Sequence, residues 1–121
     1  MPVINNKYNG TFAVHATANE SLTIAGNTSV SNVALLDETL TGAVINQVWY
    51  GANSDTTSWK ILRGANTVAV FNGTGHAQFG QHGQSLNIDP GATLVIQKTG
   101  GDGFILVECK KTGTKHSVYN N

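Results

Sequence analysis

The sequence predicts an all-β protein, a single-domain β-sandwich or jelly-roll-like barrel of about eight short antiparallel strands behind an extended N-terminal arm. Three observations carry that expectation. The second half of the chain alternates apolar and polar residues with period two, the period of a pleated strand. Breaks rich in Gly, Asn and Asp interrupt this pattern at roughly ten-residue spacing, as turns between strands do. No long amphipathic helical pattern is present.

The elements follow in chain order. Residues 1–9 are polar and extended, and Pro2 disfavours a helix at Met1. Asn9 and Gly10 form a turn signal. Residues 11–16 make a strand with Phe12, Val14 and Ala16 on one face and Thr11, Ala13 and His15 on the other. Residues 21–24 make a second, with Leu22 and Ile24 inward, and Gly26 and Asn27 turn the chain. Residues 33–40 suit either a strand and loop or a short helix. Leu36 and Leu40 have helical spacing, and Asp37 and Glu38 suit a helix start; strand and loop is preferred. Residues 43–50 read as a strand with Ile45, Gln47 and Trp49 on one face and Val44, Asn46, Val48 and Tyr50 on the other.

After a loop at 51–55, strands are predicted at 57–63, 67–71, 92–97 and 104–109. The glycines at 73–75 and 100–103 mark hairpin turns between successive strands. A short edge strand is expected at 116–119. No internal linker interrupts the chain, so residues 1–9 are the arm and residues 10–121 one sandwich domain.

A chain of 121 residues is long enough for a real core. Charged residues make up only 12%, about half the usual share. Solubility therefore falls to Asn, Thr, Ser and Gly. The formal net charge of zero supplies no basic field for nucleic acid and little repulsion between copies. No secretory signal and no stretch of roughly 20 apolar residues is present, so neither export nor a membrane partner is expected.

Candidate chemistry is sparse. Cys109, the single cysteine, reads as a small buried hydrophobe, since a reactive thiol needs a neighbouring cation or helix N-terminus. His76 and His82 would share a face if both lay on one strand, but zinc takes three or four ligands and only Asp89 is near. No metal and no cofactor is expected. Gly73, Gly75 and Gly100 to Gly103 lack the Lys-Ser/Thr of a phosphate loop, and no nucleophile elbow occurs. The seven acids fall mostly in turns, so no catalytic residue is assigned and an enzyme is not expected. Lys60, Arg63, Lys110, Lys111 and Lys115 read as a solvated rim, too few for a nucleic-acid footprint. Trp59 alternates with Ile61 and so belongs to the core; Trp49 shares its face with Ile45 and is read the same way. Trp49 and Tyr50 are also the aromatics available for a glycan or an interface.

Four blocks carry a family likeness: residues 56–64 with Trp59, Lys60, Ile61 and Arg63; residues 66–71; residues 91–97; and residues 104–110, closing in Glu108 and Lys110. Together, over residues 45–111, the chain resembles small structural proteins of tailed-phage particles, of the head decoration or cement type. The resemblance implies a virion accessory protein, made in the host cytoplasm and placed on the head surface. Its partners would be the major capsid protein and further copies of itself, most simply a trimer. It also leaves room for a tail, neck or fibre-base component. A carbohydrate-binding module is the rival outside this family. Under the decoration reading, Pro2, Val3, Ile4, Asn5, Asn6, Lys7 and Tyr8 form the capsid-binding arm, able to add to a neighbouring sheet edge.

Overall fold

Nine antiparallel strands make two stacked sheets in a computed structural model that describes residues 3–6, 11–34, 39–52, 56–79 and 91–114. They are β1 (Val3–Asn6), β2 (Thr11–Ala16), β3 (Glu20–Leu22), β4 (Thr39–Ala52), β5 (Ser58–Arg63), β6 (Asn66–Asn72), β7 (Gly75–Gln78), β8 (Leu94–Thr99) and β9 (Gly103–Thr114). One sheet has the order β1-β2-β9-β4-β7, the other β3-β8-β5-β6. The protein is a β-sandwich.

Period-two alternation builds the interior. Phe12, Val14 and Ala16 of β2 and Ile105, Val107 and Cys109 of β9 point inward from the first sheet. Trp59 and Ile61 of β5, Leu94 and Ile96 of β8 and Phe71 of β6 meet them from the second. Burial of such apolar faces is the main stabilising term in a sandwich of this kind.

The connections differ from the expected meander. Among the described strands only β1 and β2, and β5 and β6, are chain neighbours that lie side by side. The turns through Gly73 and through Gly100 are not hairpins: β6 to β7 and β8 to β9 each cross from one sheet to the other. A short turn between two alternating segments has the same sequence signature in either case. Gly100 shows why glycine is needed there. Its φ is +93°, and a Cβ would run into the Thr56 carbonyl.

Val33 and Ala34, expected in a strand, lie outside the strands, after a turn in which the Val30 and Ser31 amides both donate to the Asn27 carbonyl. Val33 is still fully buried, so its hydrophobicity reported burial and not extension. Residues 35–38 and the strand expected at 116–119 lie outside the described residues.

The expected arm includes β1, which pairs along its length with β2, Val3 opposite His15 and Asn6 opposite Phe12. Ile4 packs against the core. Those four residues are therefore an edge strand of their own sheet. Removing them would uncover β2 as well as any contact made outside the molecule. Pro2, Lys7 and Tyr8 lie outside the described residues.

The solvated basic rim is also corrected. Lys60 and Lys110 are exposed, but Arg63 and Lys111 are each only 1% exposed. Arg63 shares its face with Trp59 and Ile61, and its fork spans the interior. Nη1 donates to the Ala43 carbonyl of β4 at 2.7 Å, and Nη2 to the Ala92 carbonyl at 3.1 Å. A guanidinium has a long apolar stem and several directed donors, so it can be buried where backbone acceptors are placed for it. The side chain thus ties one sheet to the other.

Candidate functional site

The outer face of the five-stranded sheet is the surface where unusual side chains converge. Its composition depends on an irregularity in β4. Ile45 pairs with Cys109 and Gln47 with Glu108, so Asn46 is an extra residue, a β-bulge. A bulge resets the alternation. Ile45 is buried before it and Val48 after it. Gln47 and Trp49 consequently belong to the outer face, and Val48 and Tyr50 to the inner one.

This corrects the expectation for Trp49. It does not share a core face with Ile45 but is partly buried on the outer face, with its ring stacked on exposed His76 of β7 (centroids 4.6 Å apart, planes 5° apart). Tyr50 turns the other way, and its ring stacks on buried Phe71 at 4.6 Å. Trp59 is in the core as expected, 1% exposed, with its indole N–H directed at the Gly51 carbonyl 3.5 Å away.

The register aligns two rows across the sheet. His15, Leu106, Trp49 and His76 are successive cross-strand partners on β2, β9, β4 and β7. Phe104 extends this row. It is 40% exposed, stacks on His15 with centroids 6.0 Å apart, and lies over Gly51, where any Cβ would collide with the ring. Gly51 is thus the bare seat that lets Phe104 lie down.

The second row is polar. Ala13, Glu108, Gln47 and Gln78 are cross-strand partners. The Gln47 amide donates to Glu108 Oε1 at 3.1 Å. Gln47 Oε1 then accepts from Gln78 Nε2 at 3.3 Å and faces His76 Nε2 at 3.1 Å. Because that oxygen can only accept, His76 carries its proton on Nε2 in this arrangement. The polar groups are thereby held in place beside the aromatic row.

The chemistry available is that of binding. Flat aromatic and apolar surface next to ordered amides and one carboxylate can desolvate against a partner and hydrogen-bond at its rim. Among the described residues no three His, Cys, Asp or Glu side chains gather as a metal site. His82, expected near His76, lies outside them. No described helix is long and apolar enough to cross a membrane.

Cys109 sits on the opposite, inner side of β9, fully buried as expected. Burial pushes its thiol up to about 12; the Arg63 charge pulls it down a little and Glu108 adds to the rise. The native thiol should therefore react slowly with a thiol reagent at pH 8 and rapidly after unfolding. The linkage has a definite sign. The native state keeps a proton that the unfolded chain releases above its ordinary value of 9.0, so the contribution is intact below that pH. It is lost as pH rises towards about 12. The stability difference between the wild type and Cys109→Ala should shrink or change sign over this window by about 1.4 kcal/mol per pH unit at most. Urea unfolding at several alkaline pH values checks it; a difference independent of pH would contradict it.

Phe104, Leu106 and His15 are not among the candidate residues expected from the sequence. A signal was present. In β9 both parities are apolar at first, Phe104 and Leu106 alternating with Ile105 and Val107. In an antiparallel sheet with one buried face, that marks an outer face that is itself sticky.

No family model, no curated protein and no solved structure matches this chain.

Proposed function

We propose that this chain is a non-enzymatic structural protein of a tailed-phage virion. In this reading it binds the outside of the head shell, contacts the major capsid protein through the outer face of the five-stranded sheet, and stabilises the lattice. The observation that carries the reading is the aromatic row of Phe104, His15, Leu106, Trp49 and His76 on an otherwise weakly charged body. A cement protein needs such a rigid surface. Its binding energy is available only on the assembled shell, so it stabilises the shell by mass action. The resemblance of residues 45–111 to phage structural proteins supplies the particle. Grouping of copies around a symmetry axis of the shell, a trimer in the simplest case, belongs to the same proposal; the lattice sites set that grouping, and it needs no contact between copies in free solution. The zero net charge argues against a nucleic-acid partner.

The carbohydrate reading has less support. Tyr50 faces inward, and one face of the Trp49 ring is taken by His76, leaving little of either ring for a sugar. A tail or neck role differs in ring size, sixfold or twelvefold in place of threefold.

The test is cosedimentation of the purified protein with capsids of the encoding phage that have been stripped of it. Saturable binding at a copy number matching a lattice position, with a raised capsid melting temperature, is expected. Absence of binding to the shell would remove the head assignment. Quenching of tryptophan fluorescence by a glycan panel would then bring the carbohydrate reading forward.

A further inference from the structure

Among the described strands four lie at sheet edges, and they are not alike. β1 and β7 have 4 residues each and β3 has 3. Short edges of this kind offer few backbone groups to another chain, a common protection. β6 has 7 residues, Asn66, Thr67, Val68, Ala69, Val70, Phe71 and Asn72, with no charge and no proline among them. Among the described strands only β5 pairs with it. Val70 is 55% exposed, at a place where an edge strand usually carries a lysine or another charge. Among the described residues its one protective device is a bulge at Val68, between the pairs Ala69–Ile61 and Thr67–Leu62. Beyond it the ladder from Ala69 to Asn72 is regular.

We propose that β6 pairs antiparallel with β6 of a second copy about a two-fold axis. The two four-stranded sheets would join there into one sheet of eight. Charge supports a copy of the same chain as the occupant, because an uncharged edge meets itself without repulsion. The nearest exposed cation is Lys60, cross-strand from Val70 on β5. Across the axis the two Lys60 positions are three strand spacings apart, about 14 Å, beyond the Debye length of about 8 Å at physiological salt. Area sets the strength. A seven-residue edge is roughly 24 Å long and about 10 Å deep, so each copy buries roughly 250 Å². That is well below the about 800 Å² per partner of a stable complex. The pairing is therefore weak in free solution and concentration-dependent. It does not depend on what the outer face of the other sheet binds.

Sedimentation equilibrium from about 10 μM to 1 mM tests it, a span that reads the micromolar-to-millimolar dissociation constants of a weak contact. The average mass should rise from 12.7 kDa towards twice that value and stop there. Val70→Lys should shift the midpoint at least tenfold to higher concentration while leaving the melting temperature of the dilute protein unchanged. If that variant fails to fold, Thr67→Lys, at another exposed position of β6, should give the same shift. Amide exchange in residues 69–72 should slow as concentration rises. A monomer at every concentration overturns the proposal, and so does a mass converging on three copies. Self-association that both lysine variants leave intact also overturns it. Pairing of β6 only with an extended peptide of another protein counts against a second copy as its occupant.

Discussion

Trp59→Ala is expected to lower the stability of the fold by about 3–5 kcal/mol, the usual loss on emptying a large buried site. Trp59 stands on β5, an inner strand flanked by β6 and β8, where Phe71 and Lys98 are its cross-strand partners. The indole is 1% exposed and reaches across to the Gly51 carbonyl of the other sheet. Substitution removes both the packing between sheets and a donor. Gly51 is also the seat of Phe104, so the loss should loosen the inner support of the outer face. Urea unfolding gives the number directly, with an unchanged m-value indicating that the native state keeps its compactness. A loss below about 1 kcal/mol would contradict this placement. Trp49→Ala is the internal control. Being partly buried on the outer face and outside the core cluster, it should cost clearly less than Trp59→Ala, with the lost stacking on His76 worth about 0.5–1.5 kcal/mol of it.

The second large effect is expected at Arg63. Arg63→Ala removes two charged donors from the Ala43 and Ala92 carbonyls and leaves a cavity between the sheets. Hydrogen bonds to charged groups are worth about 1.5–3 kcal/mol each, offset in part because a buried guanidinium no longer has to be desolvated. A net loss of about 2–4 kcal/mol is expected. Arg63→Met should recover part of it by filling the space, since packing without the donors still separates the two carbonyls from their partners. Two outcomes would contradict the cross-sheet role: a neutral Arg63→Ala, or equal losses in the two variants. Arg63→Met should also raise the Cys109 thiol further, because the charge that holds it down is gone.

Much of the sandwich was legible in the residues, for a physical reason. Alternation in 11–16 and 57–63 is imposed by burial of one face, and Phe12, Val14, Trp59 and Ile61 face inward where the pattern places them. Connectivity was less legible. The turns at Gly73 and Gly100 return the chain sharply, but only contacts distant in sequence decide which sheet receives it. The candidate face was hidden by a single residue. One extra residue at Asn46 reverses every side chain after it, so a strict alternation from Ile45 places Trp49 on the wrong side. The burial of Arg63 is hidden for another reason. Charge predicts exposure unless acceptors are waiting, and Ala43 and Ala92 are far from Arg63 in the chain. The proposed virion role rests on the resemblance of residues 45–111, and the aromatic row supplies the proposed means of attachment.

The most direct measurement is shell binding by a variant of the outer face. Stripped capsids would be titrated with the wild type and with Trp49→Ser/Phe104→Ser, two substitutions on one face that leave the inner layer untouched. The double variant is expected to fold, with a melting curve near that of the wild type, and to bind the shell at least tenfold more weakly. Binding as tight as that of the wild type would contradict attachment through this face.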